Sequence, residues 1–294
     1  MPQKRAYVAA NGDGLAILNT GSVNPENREK KMKFTRRVLM AAAATVVFGF
    51  AAQAQADIKF GVAAEPYPPF SSKDASGTWV GWEVDLMNSV CAKMNEKCEL
   101  VEVAWDGIIP ALTSKQIDVI WSSMSITAER KKTINFSTMY YNTPTVIIGA
   151  KDGDKDISPD HLAGKSIGVQ VSTIHQRYVD KYFGAKSTIK TYQTQDEANQ
   201  DLAAGRLDYI QADGQALDAF LKTEQGAACC ELKGEVPDDP EILGEGVGGG
   251  IRKEDTALKE KLDAAIGALA KEGQFDKITA KYPELVGKMI TPTM

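Results

Sequence analysis

Two stretches of this chain follow one plan. Ala111-Leu112-Thr-Ser-Lys-Gln-Ile117-Asp118-Val-Ile is matched in spacing and character by Asp201-Leu202-Ala-Ala-Gly-Arg-Leu207-Asp208-Tyr-Ile. Each reads as the end of a helix, a tight turn and a buried strand. Around each copy, strand and helix patterns alternate. In the first half, Ile58 to Ala64 reads as a strand, Glu83 to Asn95 as a helix with Val84, Met87, Val90, Cys91 and Met94 on one side, and Glu99 to Ala104 as a strand. Asp106 to Ser114 follows as a helix and Ile117 to Trp121 as a strand. The pattern then restarts: strand Lys165 to Val171, helix Ile174 to Lys181, strand Thr188 to Tyr192, helix Asp196 to Ala204, strand Leu207 to Gln211. Alternation of this kind gives mostly parallel sheets with helices on their faces. The restart predicts two α/β lobes of related design.

Two segments read as crossovers between those lobes. Tyr140 to Val146 is extended and carries Pro144, and Gly244 to Gly250 holds five glycines in seven residues. After the second, a helix is expected from Asp255 to about Lys271, ended by Gly273 and followed by a last helix. The tail therefore returns to the first lobe. Two chain crossings make a hinge, and ligands commonly sit in the cleft such a hinge closes.

The N-terminal segment reads as a targeting signal outside the fold. Met32-Lys-Phe-Thr-Arg-Arg37 is a basic n-region, Val38 to Ala52 an apolar run, and Ala54-Gln55-Ala56 a small-residue cleavage site. The run is short of the roughly 20 residues of a membrane span. Residues 1–31 are polar and patternless and are read as a non-native upstream extension, with Met32 as initiator. The mature chain then starts at Asp57. Removing residues 1–56 takes away 8 basic and 3 acidic residues and leaves 26 Lys+Arg against 36 Asp+Glu, a net charge of −10. That balance argues against nucleic acid or an anionic membrane as partner. A soluble, exported monomer is expected.

The four cysteines follow from that compartment. Cys91 and Cys98 flank a helix end and the next strand, and are expected to form a local disulfide. Cys229 and Cys230 are adjacent, in what reads as a surface turn. They can pair with each other, pair with other chains or stay reduced. No metal or cofactor is expected: there is no Cys-x-x-Cys, and the two histidines, His161 and His175, have no ligand-like partners in sequence.

The chemistry concentrates after the strand at Ile117. Ser122, Ser123 and Ser125 lead into a helix start, capped by Ser125 or Thr127, that carries Arg130 in its first turn. A cation there opposes the helix dipole, so Arg130 either faces an anion or belongs to the solvated run Glu129-Arg130-Lys131-Lys132. Hydroxyls, free N–H groups and a guanidinium together suit a carboxylate. In the other half, Ser172-Thr173 opens a helix, and Thr173-Ile-His-Gln176 fits a capping box. Asp213 follows a strand on the side that lines ligand crevices, where it can pair with an ammonium or form a turn before Gly214. Tyr67 and Trp105 sit at strand ends, as side-chain sandwich or as core.

Ile58 to Phe70, Gly81-Trp-Glu-Val-Asp-Leu86, Trp105-Asp-Gly-Ile-Ile-Pro-Ala-Leu112, Ile117 to Arg130, Gly205-Arg-Leu-Asp208 and Gly250-Ile-Arg-Lys253 together resemble the periplasmic substrate-binding proteins of polar amino acid ABC importers, solute-binding family 3. The likeness is greatest to the lysine/arginine/ornithine, histidine and opine binders and covers nearly all of residues 57–285. It implies a type II two-lobe binding protein, with one lobe from 57–143 and 245–294 and the other from 144–244. An amino acid would be caught in the cleft and delivered to an inner-membrane ABC permease. The resemblance implies that Arg130 and Thr173 hold the ligand carboxylate, with the backbone near Ser125 and Ser172. Asp213, with Ser123 nearby, would hold the ammonium; Tyr67 and Trp105 would flank the side chain and Ser122 line the pocket. It also matches the Cys91–Cys98 pairing. There is one departure. Lysine and arginine binders carry an acidic residue three positions before the tyrosine, where this chain has Ala64. Glu65 or Glu83 could take over, but a one-residue shift along a strand reverses facing. The alternative function is a cyclohexadienyl or arogenate dehydratase on the same fold. Against it, no nucleophile–base pair stands out.

Overall fold

A computed structural model of the protein describes residues 57–292. The upstream extension and export signal expected over 1–56 lie outside the described residues.

The chain opens with β1 (Ile58–Ala63), a small hairpin β2 (Ser72–Lys73) and β3 (Trp79–Val80), and α1 (Trp82–Met94). Then come β4 (Cys98–Val103), α2 (Ile108–Thr113), β5 (Val119–Ile120) and β6 (Asn135–Phe136). A second series runs through β7 (Thr145–Ala150), β8 (Ser166–Gln170), α3 (Ile174–Tyr182), β9 (Thr188–Tyr192), α4 (Gln195–Ala203) and β10 (Tyr209–Asp213). It continues with α5 (Gly214–Leu221), α6 (Glu224–Cys229), β11 (Cys230–Glu235) and α7 (Pro240–Leu243). The chain returns with β12 (Gly250–Ile251), α8 (Thr256–Lys271) and α9 (Gln274–Thr279).

These strands form two five-stranded sheets, in the orders β4-β1-β5-β12-β6 and β9-β8-β10-β7-β11. Read in those directions the sheets are equivalent. In each, three parallel strands are flanked by an antiparallel strand belonging to a crossover. The sequence echo falls at equivalent places, and its physical cause is visible. Lys115 (φ 64°) and Gly205 (φ 69°) each take the left-handed turn that ends the helix. Asp118 and Asp208 each accept a backbone N–H from the neighbouring first strand, Lys59 N at 3.1 Å and Ser166 N at 2.8 Å. Ile117 and Leu207 each pack onto a glycine of that strand. A Cβ at Gly61 would meet Ile117 Cδ1 at 2.3 Å, and one at Gly168 would meet Leu207 Cδ1 at 2.4 Å.

The crossovers are paired backbones. Tyr141 and Val247 form an antiparallel bridge, and Val247 also bridges Ser125. Tyr140 and Tyr141 fix the outgoing segment to the first lobe by stacking on Trp121 (4.3 Å between centroids) and Phe70 (4.6 Å). Glycine is required on the return: a Cβ at Gly244 (φ 86°) would lie 2.4 Å from the Ile126 carbonyl oxygen. The core of the first lobe gathers Phe60, Trp82, Leu86 and Val90 against Leu262, Ile266, Phe275 and Ile278 of α8 and α9.

Several elements differ from expectation. The crossover predicted at Tyr140 to Val146 ends inside β7, a buried central strand whose six residues carried no alternation. Helices α5 and α6 and strand β11 were not anticipated. Asp255 precedes α8 but makes no side-chain cap bond; its carboxylate pairs with Arg252 at 2.6 Å instead. Cys229 and Cys230 are bonded to each other at the α6–β11 junction. Cys230 is buried, so the region is a helix–strand corner and not a surface turn. Cys91 and Cys98 form the expected disulfide between α1 and β4. Replacing both with serine is expected to lower stability by about 2–3 kcal/mol, read as a lower denaturant midpoint with an unchanged slope.

No helix among the described residues is long and apolar enough to cross a membrane.

Candidate functional site

The carboxyl ends of the strands in both sheets face one cleft of about 560 Å³, counting its open mouth. Ala63, Glu65, Tyr67, Trp105, Ser122, Ser123, Ser125 and Arg130 line it from the first lobe. Gln170, Thr173, Ile174, His175, Gln195 and Asp213 line it from the second.

On the first lobe, Ser122 accepts the Ala63 N–H at 2.9 Å, tying the serine loop to the end of β1. Ser123 has φ 53°, a strained conformation for a residue other than glycine. The Glu83 carboxylate holds it there, accepting Ser123 N–H at 2.8 and 3.0 Å and its hydroxyl at 3.0 Å. The Tyr140 hydroxyl donates to the same carboxylate. Glu83 is 1 % exposed, and burial pushes its pKa up against those hydrogen bonds. Of the two carboxylates considered for a cationic ligand side chain, Glu83 is therefore committed to shaping the serine loop. Glu65 lines the cleft, and its buried Oε2 has no hydrogen-bond partner among the described residues. Ala64 is exposed and does not line the cleft.

Arg130 opens a 3₁₀ turn, Arg130–Lys132, in place of the longer helix expected. The N-cap position is Glu129, which makes no side-chain cap bond, and of the two expected caps it is Thr127 whose Oγ1 accepts the Arg130 N–H, at 3.2 Å. The Arg130 guanidinium donates to the Ser125 carbonyl (3.0 Å) and, across the cleft, to the Ser172 carbonyl (3.3 Å). It lies 5.6 Å from the Trp105 ring centroid, in cation–π range. Burial, helped by the charge of Arg177 and opposed by Asp213, pulls its pKa down to about 10, leaving it a cation at neutral pH.

On the second lobe, Thr173 caps α3, accepting Gln176 N–H at 3.0 Å. The return arm of the anticipated capping box goes to Ser172 N instead, at 2.8 Å. Ser172 itself is exposed; it contributes a carbonyl to Arg130, and its side chain is not among those lining the cleft. Asp213 ends β10. It accepts from the Tyr67 hydroxyl at 2.6 Å, a bond between the lobes, and from Thr143 at 3.3 Å; His175 Nε2 lies 3.6 Å away. Burial raises the Asp213 pKa, but the charge and hydrogen bond of His175 and the bonds from Tyr67 and Thr143 outweigh it and hold the carboxyl below its ordinary value. Tyr67 is driven the other way, by burial first and then by Asp213.

Gln170, Ile174, His175 and Gln195 were missed in sequence. They sit where β8 meets α3 and β9 meets α4, so strand-to-helix junctions would have flagged them. Among the described residues no group of His, Cys, Asp and Glu is arranged to hold a metal ion.

The cleft thus sets a guanidinium on one lobe and a carboxylate on the other. The sequence model of the bacterial extracellular solute-binding proteins, family 3, matches residues 58–284. The chain belongs to that family. It is 40% identical over 227 residues to the L-arginine-binding protein of Pseudomonas aeruginosa, covering 76% of this chain and 87% of that one. It is 38% identical over 218 residues to the lysine/arginine/ornithine-binding periplasmic protein of Escherichia coli, covering 74% and 84%. Among solved structures, an ancestral arginine-binding protein bound to arginine superposes with a TM-score of 0.70 at 34% identity, over 77% of this chain and 97% of the other. The two-sheet architecture with a cleft between is the type II binding-protein fold of this family.

Proposed function

We propose that this family 3 protein is a periplasmic receptor that captures a cationic L-amino acid between its lobes and delivers it to an inner-membrane ABC permease. The observation that carries this reading is the opposition of Arg130 and Asp213 across one cleft. A zwitterion bridging them satisfies both charges and draws the lobes together, shifting the population toward the closed form. In this reading Arg130, Thr173 and the amides near Ser125 take the carboxylate. Asp213 takes the ammonium, with Ser123 and Tyr67 beside it, and Trp105, Tyr67 and Ser122 enclose the side chain.

The preference for a cationic side chain rests on Glu65. A buried carboxylate oxygen without a partner is costly to leave unpaired, and a ligand ammonium or guanidinium would pair it. The relatives named for arginine and for lysine, arginine and ornithine support the same class. Calorimetry of the 57–294 chain with L-arginine, L-lysine, L-ornithine, L-histidine and L-glutamine tests it. Glu65→Gln is expected to weaken L-arginine binding by about 1.5–3 kcal/mol, the range for a charged hydrogen bond, while leaving L-glutamine unchanged. Equal losses for both ligands would remove Glu65 from side-chain recognition. Absence of binding by all five would sink the receptor reading.

A further inference from the structure

His175 has no part in the scheme above, yet it lies in the same cleft. It occupies the first turn of α3, is 5 % exposed, and points Nε2 at Asp213 Oδ1 from 3.6 Å. Its Nδ1 is buried with no hydrogen-bond partner among the described residues. We propose that His175 is a proton-sensing positioning residue that makes amino acid capture pH-dependent, its protonated form competing with the ligand ammonium for Asp213. This rests on Asp213 being the ammonium site.

The surroundings leave Asp213 as the partner that matters. From the first lobe, Glu65, Tyr67 and Arg130 share the cleft with His175. Arg130 is directed to two carbonyls and Tyr67 to Asp213 itself. On α3, Arg177 is exposed and Lys181 is held by Asp239, beside α7, whose own Glu241 is exposed. On the strands beneath, Lys165 pairs with Asp208, and Lys190 donates to the Arg206 carbonyl. Glu83 is a further carboxylate coupled to Asp213, enclosed by Ser123 and Tyr140, and on the other side of Asp213 a second cavity, which Ile174 also lines, holds Glu235, Asp238 and Lys288.

Neutral His175 can donate one N–H to Asp213 and leave its negative charge for the ligand. Protonated His175 neutralises that charge and sets a second cation against the incoming ammonium, at a helix start that already disfavours cations. Ligand and proton then exclude one another, so binding expels a proton and acid weakens binding.

The test is calorimetry with L-arginine and, separately, L-glutamine from pH 7.5 to 5.0. The expected result is a dissociation constant that rises about tenfold or more toward acid. His175→Gln keeps a donor near Asp213 without a titrating proton. It is expected to flatten that profile, the dissociation constants at pH 5.0 and pH 7.5 differing by no more than about threefold. The wild-type protein at pH 6.0, measured in phosphate and in Bis-Tris, is expected to release protons on binding. The same acid profile in His175→Gln, or no proton release in the wild type, overturns the proposal. Because both amino acids carry the α-ammonium, binding of L-glutamine alone would overturn the cationic specificity and still read the proton linkage.

Discussion

Arg130→Ala is expected to weaken amino acid binding by about 2–5 kcal/mol, the usual loss when one partner of a buried charge pair is removed. Arg130 is the cation that both reaches the cleft and bridges it, through the Ser125 and Ser172 carbonyls. Without it a bound carboxylate faces only hydroxyls and amides. A micromolar ligand, bound by about 8 kcal/mol, would fall to between about 30 μM and a few millimolar. Arg130→Lys keeps the charge but not the planar fork that reaches two acceptors, and should recover only part of the loss. Calorimetry measures it. The decarboxylated analogue of the ligand provides the control, since its affinity should be insensitive to Arg130. Equal sensitivity of acid and amine would mean that Arg130 acts through lobe geometry and not through the carboxylate.

Asp213→Asn is expected to cost a similar amount, about 2–5 kcal/mol, by leaving the ligand ammonium without its counter-charge. An asparagine's one carbonyl oxygen can still accept from Tyr67 while its amide nitrogen donates to the Thr143 hydroxyl, so the bond between the lobes survives and the folded state should keep its thermal midpoint. A fall in affinity with an unchanged melt would therefore report on charge alone. The discriminating ligand here is the N-acetylated amino acid, which carries no ammonium. It should bind poorly to the parent and no worse to the variant. If the asparagine variant binds the free amino acid as well as the parent does, Asp213 is a hinge-side structural residue and the ammonium is held elsewhere.

The two-lobe plan was legible because identical physical problems leave identical residues. A helix that ends, turns and feeds a central strand needs a left-handed residue, a side chain to cover a glycine, and an aspartate to catch a neighbouring N–H. Lys115, Ile117 and Asp118 meet those needs in one lobe, and Gly205, Leu207 and Asp208 in the other. The central strand β7 was hidden because Thr145–Ala150 is buried nearly throughout, so period-two alternation could not appear. In the cleft, Arg130 at a turn start and Asp213 after a strand were legible only as candidates beside a solvated arginine and a turn aspartate, and it was the resemblance that favoured the cleft. The different fates of Glu65 and Glu83 were not legible. Both are acidic and near the cleft, and only tertiary packing gives one to Ser123 and Tyr140 while leaving the other without a partner. His175 was weighed only as a metal ligand, because its neighbour Asp213 is distant in sequence.

The return of the chain has a consequence for how the molecule is made. Every strand of the second sheet lies between Thr145 and Glu235, whereas the first sheet needs Gly250–Ile251 to join β5 to β6. Arg252, just beyond, ties that strand to the Leu112 and Ile117 carbonyls and to Asp118. As the polypeptide emerges from its amino end, the middle portion can finish assembling while the portion begun first still waits for its closing piece. Such late, distant contacts slow maturation, and a premature stop before Gly250 would release a product with one completed half and one open sheet.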